Sequence, residues 1–353
     1  MALDRNSLIA LTKAMAKASL NPSASFAFEG KNLSFEALNE TFRNEMNELA
    51  GTYAKYRENK NLIFELIEVG LDEVLPQKVL QNYGQFADVK TYAQGDKPVF
   101  NVRISEASKR RAKENFVTRV GLAGRYEVFK LDGYTLEVPT SAWGGAAQIG
   151  FEEFLDGRIQ MSDVYDIVLE GLDEAVYKEI AKALKAMVES TDYGVNGNLK
   201  NNYHTDTTFT ETEMDKLIQI ADAYGKSTIY CTFEFAATMI PDDKWASNDM
   251  KQERWDNGYY TRYKGHNVII LPQSFESEDG VFNAKKVMDP TTAYIIPTGA
   301  EKPIKVAFEG ASAVREVESQ EDWSREIQTY RKFGVACYVK NPSICIYKNT
   351  GLA

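Results

Sequence analysis

Four short apolar segments follow one another near the end of the chain: AYIIP (293–297), KPIKVAF (302–308), QTYRKFGVACYV (328–339) and ICIYK (344–348). Each segment is rich in β-branched or aromatic residues and is flanked by polar or turn-forming residues, a pattern typical of strands. None of them contains a cluster of residue types that would suggest catalysis. This stretch therefore predicts a β-rich ending of the chain whose role is packing.

The composition indicates an acidic globular chain with more than one folded unit. Its 353 residues exceed what a single core usually accommodates, and 44% of them are hydrophobic. The net charge of −10 disfavours a protein that binds nucleic acid by neutralising its phosphates. It suits a protein that must lie near DNA without binding it. We expect neither a membrane span nor a secretory signal, because the apolar runs are short and no signal pattern is present.

Helical spacing of apolar residues predicts a helix-rich region before the strands begin. The expected helices are residues 6–20, a stretch that opens at Ser34 and includes Tyr56, and residues 61–74, the last ending near Pro76. The strongest pattern covers 162–189, with Ser162 or Asp163 as its cap. A helix of that length spans about 40 Å at 1.5 Å per residue.

Residues 205–299 have the pattern of a separate α/β unit. Helices are expected at 211–224 and 234–239, and strands at 227–233 and 266–271.

Residues 93–138 change to strand-like alternation around a run of positive charge. Expected strands are 99–104, 115–120, 126–131 and 134–138, which together have too little apolar content to form a core of their own. The basic segment within them consists of Lys109, Arg110, Arg111, Lys113, Arg119 and Arg125. It is either a solvated face or a charged flap that docks on an acidic neighbour, and a second copy of this acidic chain would be such a neighbour.

The sequence contains few residues in patterns suited to catalysis or to binding a metal or cofactor. We therefore expect no catalytic site, no metal site and no cofactor. Its two histidines, His204 and His266, and its three cysteines lack the spacing of a zinc site. His204 precedes Asp206 by two residues, but a polar loop histidine is the commoner reading. Cys337 and Cys345 either face each other across a hairpin or are separate buried thiols, and we favour the thiols.

The order of these parts resembles the major capsid protein of tailed double-stranded DNA bacteriophages, the Hong Kong 97-type fold. The local similarities are GYYTRYKG (258–265) before VIILP (268–272), AYIIP (293–297), and the stretch from ESQEDW (318–323) through YRKFGV (330–335) to Asn341-Pro342. None of these is an invariant motif, so the specificity lies in their order and spacing.

The resemblance implies an α+β fold with an N-terminal arm, an extended β-hairpin called the E-loop, a peripheral domain with a long spine helix, and an axial domain. It divides the chain as follows: arm 1–78, E-loop and flanks 79–150, peripheral domain 151–200, axial domain 201–299, return to the peripheral domain 300–331, and closing strands 332–353. The segment 333–348 would form a closing hairpin.

The resemblance also implies a structural protein and no enzyme. The chain would assemble into the pentamers and hexamers of an icosahedral head that encloses DNA without sequence-specific binding. Expected partners are other copies of the chain, a scaffolding protein, a portal and optionally a decoration protein, with assembly in the host bacterial cytoplasm and residence in the virion. The alternatives are an encapsulin-like compartment and, less favoured, a cytoplasmic α/β enzyme that uses 205–299.

Two sets of residues are implied to form intersubunit contacts. One is the basic segment of the E-loop, and the other is a peripheral tip made of Glu321, Asp322 and Trp323. Some relatives join their subunits by a lysine–asparagine bond just after this tip, but Arg325-Glu326 stands there in this chain. Autocatalytic cross-linking is therefore not supported, and a separate scaffolding protein is expected instead of an N-terminal scaffolding segment.

Overall fold

A computed structural model of the chain describes residues 4–20, 26–28, 31–102, 104–115, 132–149, 161–239, 252, 255–318 and 325–352. The chain forms two compact units, each built from separated stretches. The four-strand unit comprises Met1–Pro98, Glu137–Glu179 and Lys305–Val335, and the six-strand unit comprises Val99–Leu136, Ile180–Ile304 and Ala336–Ala353.

Helices and strands are both abundant, which confirms the predicted α+β class. The longer helices described are α1 Arg5–Leu20, α2 Phe35–Ala50, α3 Tyr53–Tyr83, α4 Glu106–Asn115, α5 Met161–Val188, α6 Glu211–Asp222 and α7 Phe233–Thr238. The first eight strands are β1 Phe26–Phe28, β2 Lys31–Leu33, β3 Ala87–Tyr92, β4 Val99–Val102, β5 Tyr134–Glu137, β6 Ser141–Ile149, β7 Tyr203–Asp206 and β8 Ser227–Cys231. The remaining strands are β9 Arg262–Tyr263, β10 His266–Ile270, β11 Phe275–Glu278, β12 Val281–Lys286, β13 Thr292–Pro297, β14 Ile304–Glu318, β15 Arg325–Cys337 and β16 Cys345–Asn349.

Capping residues divide the N-terminal helices of the four-strand unit. Ser34 caps α2, its hydroxyl accepting from the Ala37 amide at 3.4 Å, and Thr52 caps α3 by accepting from the Lys55 amide at 3.4 Å. The stripe that the sequence extends to Tyr56 is therefore split between two helices. Helices α1, α2 and α3 pack on one another through apolar faces that include the fully buried Leu11 and Leu38.

Helix α3 continues past Pro76 to Tyr83, so the predicted end near Pro76 is wrong. A proline inside a helix costs roughly 3 kcal/mol, because it removes one hydrogen bond and crowds the preceding turn. The side chains of Leu75 and Val79 on either side of it are fully buried. Burying such side chains contributes about 1.5–3 kcal/mol each, which is enough to carry the helix through the proline.

A four-stranded sheet in the order β3-β14-β15-β6 lies against α3 and is bonded to it by polar groups. The Asp72 carboxylate of α3 accepts a hydrogen bond from the Ser312 amide of β14 at 2.8 Å, and the Glu68 carboxylate accepts one from the Val314 amide at 2.9 Å. Asp72 also accepts from the guanidinium of Arg331 on β15, whose side chain is 1% exposed. The helix is therefore fixed to two neighbouring strands by hydrogen bonds and charge.

The six-strand unit contains a mixed sheet in the order β7-β16-β13-β8-β10-β9. Strand β13 runs antiparallel to both β16 and β8, whereas β10 is parallel to β8 and β7 is parallel to β16. Helices α6 and α7 add apolar residues to the core of this sheet. Strand β8 ends at Cys231, two residues earlier than predicted, because Thr232 caps α7 by accepting from the Phe235 amide at 3.4 Å.

Strands β15 and β16 belong to different sheets, so the predicted closing hairpin over 333–348 is wrong. Strand β15 pairs with β6 over nine residues, whereas β16 lies between β7 and β13. Cys337 ends one strand and Cys345 begins the other, and both are free thiols. The alternation that made the two segments look like hairpin partners reflects two separate sheets.

The long helix predicted at 162–189 is confirmed as α5, Met161–Val188. Its start differs in detail. Ser162 and Asp163 lie within the first turn instead of capping it, and Asp163 places a negative charge at the positive end of the helix dipole.

Candidate assembly surfaces

The basic segment lies partly on helix α4, between strands β4 and β5, which pair with each other. Lys109, Arg110, Arg111 and Lys113 are on this helix; Arg119 and Arg125 lie outside the described residues. The sequence EASKRRAKEN contains no β-branched residue, which favours a helix over the strand-like conformation expected of its surroundings.

Hydrogen bonds of Ser105 and Ser108 connect the start of α4 to Asp132, just before β5. The Ser105 hydroxyl accepts from the Ser108 amide at 3.2 Å, as a helix cap does. The Ser108 hydroxyl donates to the Asp132 carbonyl at 3.1 Å, and the Ser105 amide donates to the same carbonyl at 3.1 Å. Asp132 lies between the expected strands 126–131 and 134–138, of which the first lies outside the described residues.

Arg110 makes contacts within its own unit. Its Nε donates to the Glu114 carboxylate at 2.7 Å, and this hydrogen bond raises the pKa of the Arg110 guanidinium above its ordinary value. The guanidinium also lies 5.8 Å from the ring centre of Tyr224, which is within cation–π range. Lys109 and Lys113 are exposed. The described part of the basic segment is thus a helix with exposed lysines at the surface.

A cleft of about 900 Å³ lies in the six-strand unit between α4, α6 and the segment around β7. Its charged lining is mixed, with Arg110, Lys200 and Lys216 beside Glu114 and Glu213. A lining of both signs does not select a strongly anionic or cationic small ligand. The cleft is better suited to a protein surface with charges of its own.

His204 lies in this cleft but lacks the geometry of a catalytic base. Its Nδ1 is 3.8 Å from a Glu213 carboxylate oxygen and its Nε2 is 4.0 Å from an Asp206 carboxylate oxygen, both too long for hydrogen bonds. The ring instead packs 5.3 Å from the Tyr347 ring. His204 therefore lies on strand β7, and the expectation of a polar loop histidine is wrong.

The three thiols are poorly suited to nucleophilic chemistry. Burial raises the pKa of Cys231, Cys337 and Cys345 to about 12, so each remains protonated near neutral pH. The thiolate is the nucleophilic form of cysteine. Among the residues that the structure describes, no three His, Cys, Asp or Glu side chains come together as metal ligands.

A second surface feature lies in the four-strand unit, between the edge strand β6 and helix α5. It is an apolar groove of about 260 Å³ lined by Trp143, Ile167, Leu172 and small residues of β6. Ile167 is 63% exposed, and Trp143 stacks on Phe333 at 5.1 Å between ring centres. Because β6 is the last strand of its sheet and borders an apolar groove, this face is a candidate contact surface.

The predicted peripheral tip, Glu321, Asp322 and Trp323, lies outside the described residues, between β14 and β15. One exposed element was not predicted from the sequence: the hairpin of β11 and β12, which carries exposed Phe275, Val281 and Phe282. Its Asp279-Gly280 turn between apolar residues was the available signal. In the described ranges, no helix has the length and apolarity needed to cross a bilayer.

Comparison with protein families gives a match over residues 8–342 to the family described as "SPbeta prophage-derived putative capsid protein YonB". No curated protein matches the chain. Because the match spans almost the whole chain, it shows that the chain belongs to this family. It also favours the phage capsid reading over the encapsulin-like and enzyme alternatives.

Solved structures with a similar fold include three from phages or bacteria. A phage-related protein from Bordetella bronchiseptica RB50 has a TM-score of 0.50 at 11% identity, covering 82% of this chain and 97% of that one. The capsid of the cyanophage P-SCSP1u has a TM-score of 0.48 at 8% identity, covering 75% and 86%. The mature capsid of bacteriophage PhiM1 has a TM-score of 0.46 at 9% identity, covering 77% and 87%. Of these three, the protein from Bordetella bronchiseptica reaches a TM-score of 0.50, and the likeness shows a similar fold alone.

The family match and the α+β architecture agree with each other. The chain belongs to the YonB family of prophage-derived capsid proteins and is a phage major capsid protein with the Hong Kong 97-type fold.

Proposed function

We propose that this chain forms the pentamers and hexamers of an icosahedral phage head that encloses double-stranded DNA. Its proposed partners are other copies of itself, a scaffolding protein, a portal and optionally a decoration protein. Assembly takes place in the cytoplasm of the host bacterium, and the finished protein resides in the virion. The role is structural and not enzymatic.

The observation that carries this proposal is the match to a capsid protein family over residues 8–342. The acidic net charge supports it, because a shell of −10 chains encloses DNA without gripping its phosphates. The exposed basic helix α4 supports it too, because a positively charged surface on an acidic chain favours docking on another copy of that chain.

The basic segment gives a direct test of self-assembly. We expect the double variant Arg110→Glu/Arg111→Glu to fold normally but to form few shells when it is produced with the scaffolding protein. Electron microscopy would count the particles, and circular dichroism would verify the fold.

A matched control reverses two charges on another helix. Lys182→Glu/Lys185→Glu changes the net charge equally, and it breaks an i,i+4 pair with Glu189 as Arg110→Glu breaks the pair with Glu114. If both double variants lower assembly to the same extent, net charge and not the basic segment is responsible. If the wild-type chain stays monomeric with its scaffolding protein under varied conditions, the proposed function is wrong.

The peripheral tip gives a second test. Trp323→Ala is expected to lower the temperature at which assembled shells break apart, because a large aromatic anchor would be lost from an intersubunit contact. An unchanged melting temperature of the shells, measured by light scattering, would remove the tip from the contact surfaces.

A further inference from the structure

The hairpin of β11 and β12 is a two-stranded sheet of its own. In the described part of the chain these strands pair only with each other. They are joined by Asp279-Gly280, whose φ angles of 51° and 79° are both positive, as the tight turn of a two-residue hairpin requires. Local sequence thus fixes the hairpin, and among the described strands neither β11 nor β12 pairs with a third strand along its outer edge.

The hairpin also exposes apolar side chains. Every residue of β12 is exposed, and the exposed fractions of Phe282, Val281 and Phe275 are 83%, 61% and 46%. An isolated two-stranded hairpin is marginally stable in water at best. Clustered exposed apolar residues on such an element indicate a surface that another protein covers.

The two strands carry opposite charges. Strand β11 and the turn contain Glu276, Glu278 and Asp279, whereas β12 contains Lys285 and Lys286. Within the hairpin, Glu276 lies opposite Lys285. Lys286 binds the Glu234 carboxylate of α7 at 2.6 and 2.8 Å, which anchors the hairpin to its unit. One side of the hairpin is therefore acidic and the other basic.

This charge pattern discriminates between two ways of joining two copies. A two-fold contact would pair β11 with β11, or β12 with β12, and so place like charges side by side. A head-to-tail contact pairs the acidic β11 of one copy with the basic β12 of the next, which favours cross-strand attraction. Head-to-tail contacts repeat from copy to copy and close into a ring when the rotation permits.

We propose that the β11–β12 hairpin is a site of β-strand pairing between neighbouring copies of this chain, with β11 of one copy added to β12 of the next around a ring. The pairing supplies backbone hydrogen bonds to both outer edges and covers Phe282 and Val281. The occupant is a second copy because the chain itself carries the complementary strand. The inference rests on the proposed function and names one surface that joins its subunits.

Two charge variants test the pairing without disturbing the bridge of Lys286 to Glu234. Glu276→Lys/Glu278→Lys makes both strands basic, and Lys285→Glu makes β12 more acidic beside an acidic β11. Each variant alone is expected to form about tenfold fewer rings and shells, because like charges then meet at every contact. A one-to-one mixture is expected to recover rings with an even number of subunits, in which the two variants alternate.

The mixture separates a contact between chains from damage within one chain. Both variants lose the opposite-charge pair of Glu276 and Lys285 in their own hairpin, and mixing does not restore it. Recovery on mixing, observed by electron microscopy and light scattering of the full-length chains, therefore supports pairing between copies. Failure of the mixture, or normal assembly of each variant alone, would overturn the inference.

The apolar residues of the hairpin are tested by a matched pair of substitutions. Phe282→Ser and Val195→Ser each replace a side chain that is more than four-fifths exposed, at 83% and 89%, so neither should destabilise the free chain. Only Phe282→Ser is expected to lower ring formation. An equal loss in both variants would overturn the role of the hairpin. If the wild-type chain forms normal shells, the proposed function stands whatever the variants do. A wild-type chain that never assembles contradicts the proposed function itself.

Discussion

The four-strand unit and the six-strand unit are held together by different chemistry. The core of the six-strand unit contains the fully buried apolar side chains of Met214, Ile229 and Ile295. In the four-strand unit the sheet itself buries charge: the side chains of Arg331 and Lys305 are each 1% exposed and bind Asp72 and Asp88. The comparison teaches that the six-strand sheet depends on apolar packing, whereas the four-strand sheet, besides its own buried apolar residues, depends on keeping charged partners together.

The electrostatics of Arg331 explain this dependence. Burial lowers the pKa of its guanidinium, and the Asp72 carboxylate opposes that effect. An arginine does not give up its proton at any ordinary pH, so a lost partner leaves a buried charge instead of a neutral group. Replacement of a buried pair by apolar residues is tolerated far better than removal of one member.

The largest expected effect is therefore in the four-strand unit. Asp72→Ala should lower the free energy of unfolding by about 3–5 kcal/mol, because it leaves Arg331 buried without its carboxylate. The double variant Asp72→Leu/Arg331→Met should recover most of that loss. Urea titration monitored by circular dichroism measures both.

An exposed ion pair of the same unit is the control for Asp72. Glu137 lies 3.2 Å from Lys97, with both side chains more than half exposed. Glu137→Ala should cost no more than about 1 kcal/mol, as surface pairs usually do. Equal losses from Asp72→Ala and Glu137→Ala would show that burial of Arg331 does not control the stability of this sheet.

A steric change at the edge of the same sheet should have an intermediate effect. A Cβ atom added at Gly144 would clash with the Thr329 carbonyl oxygen of β15, whereas one added at Gly145 would meet nothing within 4 Å. Gly144→Ala should therefore cost about 1–3 kcal/mol by forcing β6 away from β15. Gly145→Ala is the matched control, and indistinguishable unfolding midpoints would contradict the close strand approach.

The apolar core of the six-strand unit should tolerate a small truncation. Ile295→Val removes one methylene from the centre of β13 and should cost about 0.5–1.5 kcal/mol. The same urea titration measures it. A loss as large as that of Asp72→Ala would erase the proposed difference between the two units.

The smallest effect concerns acid stability. A hydrogen bond from the Thr140 hydroxyl, with further contributions from the Gly95 amide and Lys332, lowers the pKa of the Glu309 carboxyl below 4.5. Its contribution to folding is therefore complete above about pH 4.5 and is lost as the pH falls through the lowered value. Glu309→Gln should make the acid-unfolding curve shallower in that range, whereas Glu40→Gln, at an exposed position of α2, should not. Superimposable curves for wild type and Glu309→Gln would contradict this assignment.

Local patterns predicted much of the fold. The spacing of apolar residues located α1, α5 and α6, and the alternation at 293–297 and 344–348 located β13 and β16. The order of parts also pointed to the capsid family that the comparison shows. These features could be predicted because each depends on side-chain periodicity within one stretch of chain.

Two of the failures involve contacts between distant stretches. Pro76 indicated a helix end, but burial of Leu75 and Val79 carries α3 through it. Strands 328–339 and 344–348 looked like one hairpin, but each pairs in a different sheet. The β11–β12 hairpin was missed although its Asp279-Gly280 turn was visible, because nothing local shows whether a polar-rich hairpin is covered.

The sequence by itself determined where apolar and polar residues alternate, and therefore the type and position of most helices and strands. It also determined the net charge of −10 and the scarcity of histidine and cysteine, which favour a structural role. Only the tertiary structure decided which strands share a sheet, that Arg331 is buried against Asp72, and that Phe282 is exposed on the β11–β12 hairpin. The physical reason is that periodicity is a property of neighbouring residues, whereas burial and pairing depend on groups hundreds of residues apart.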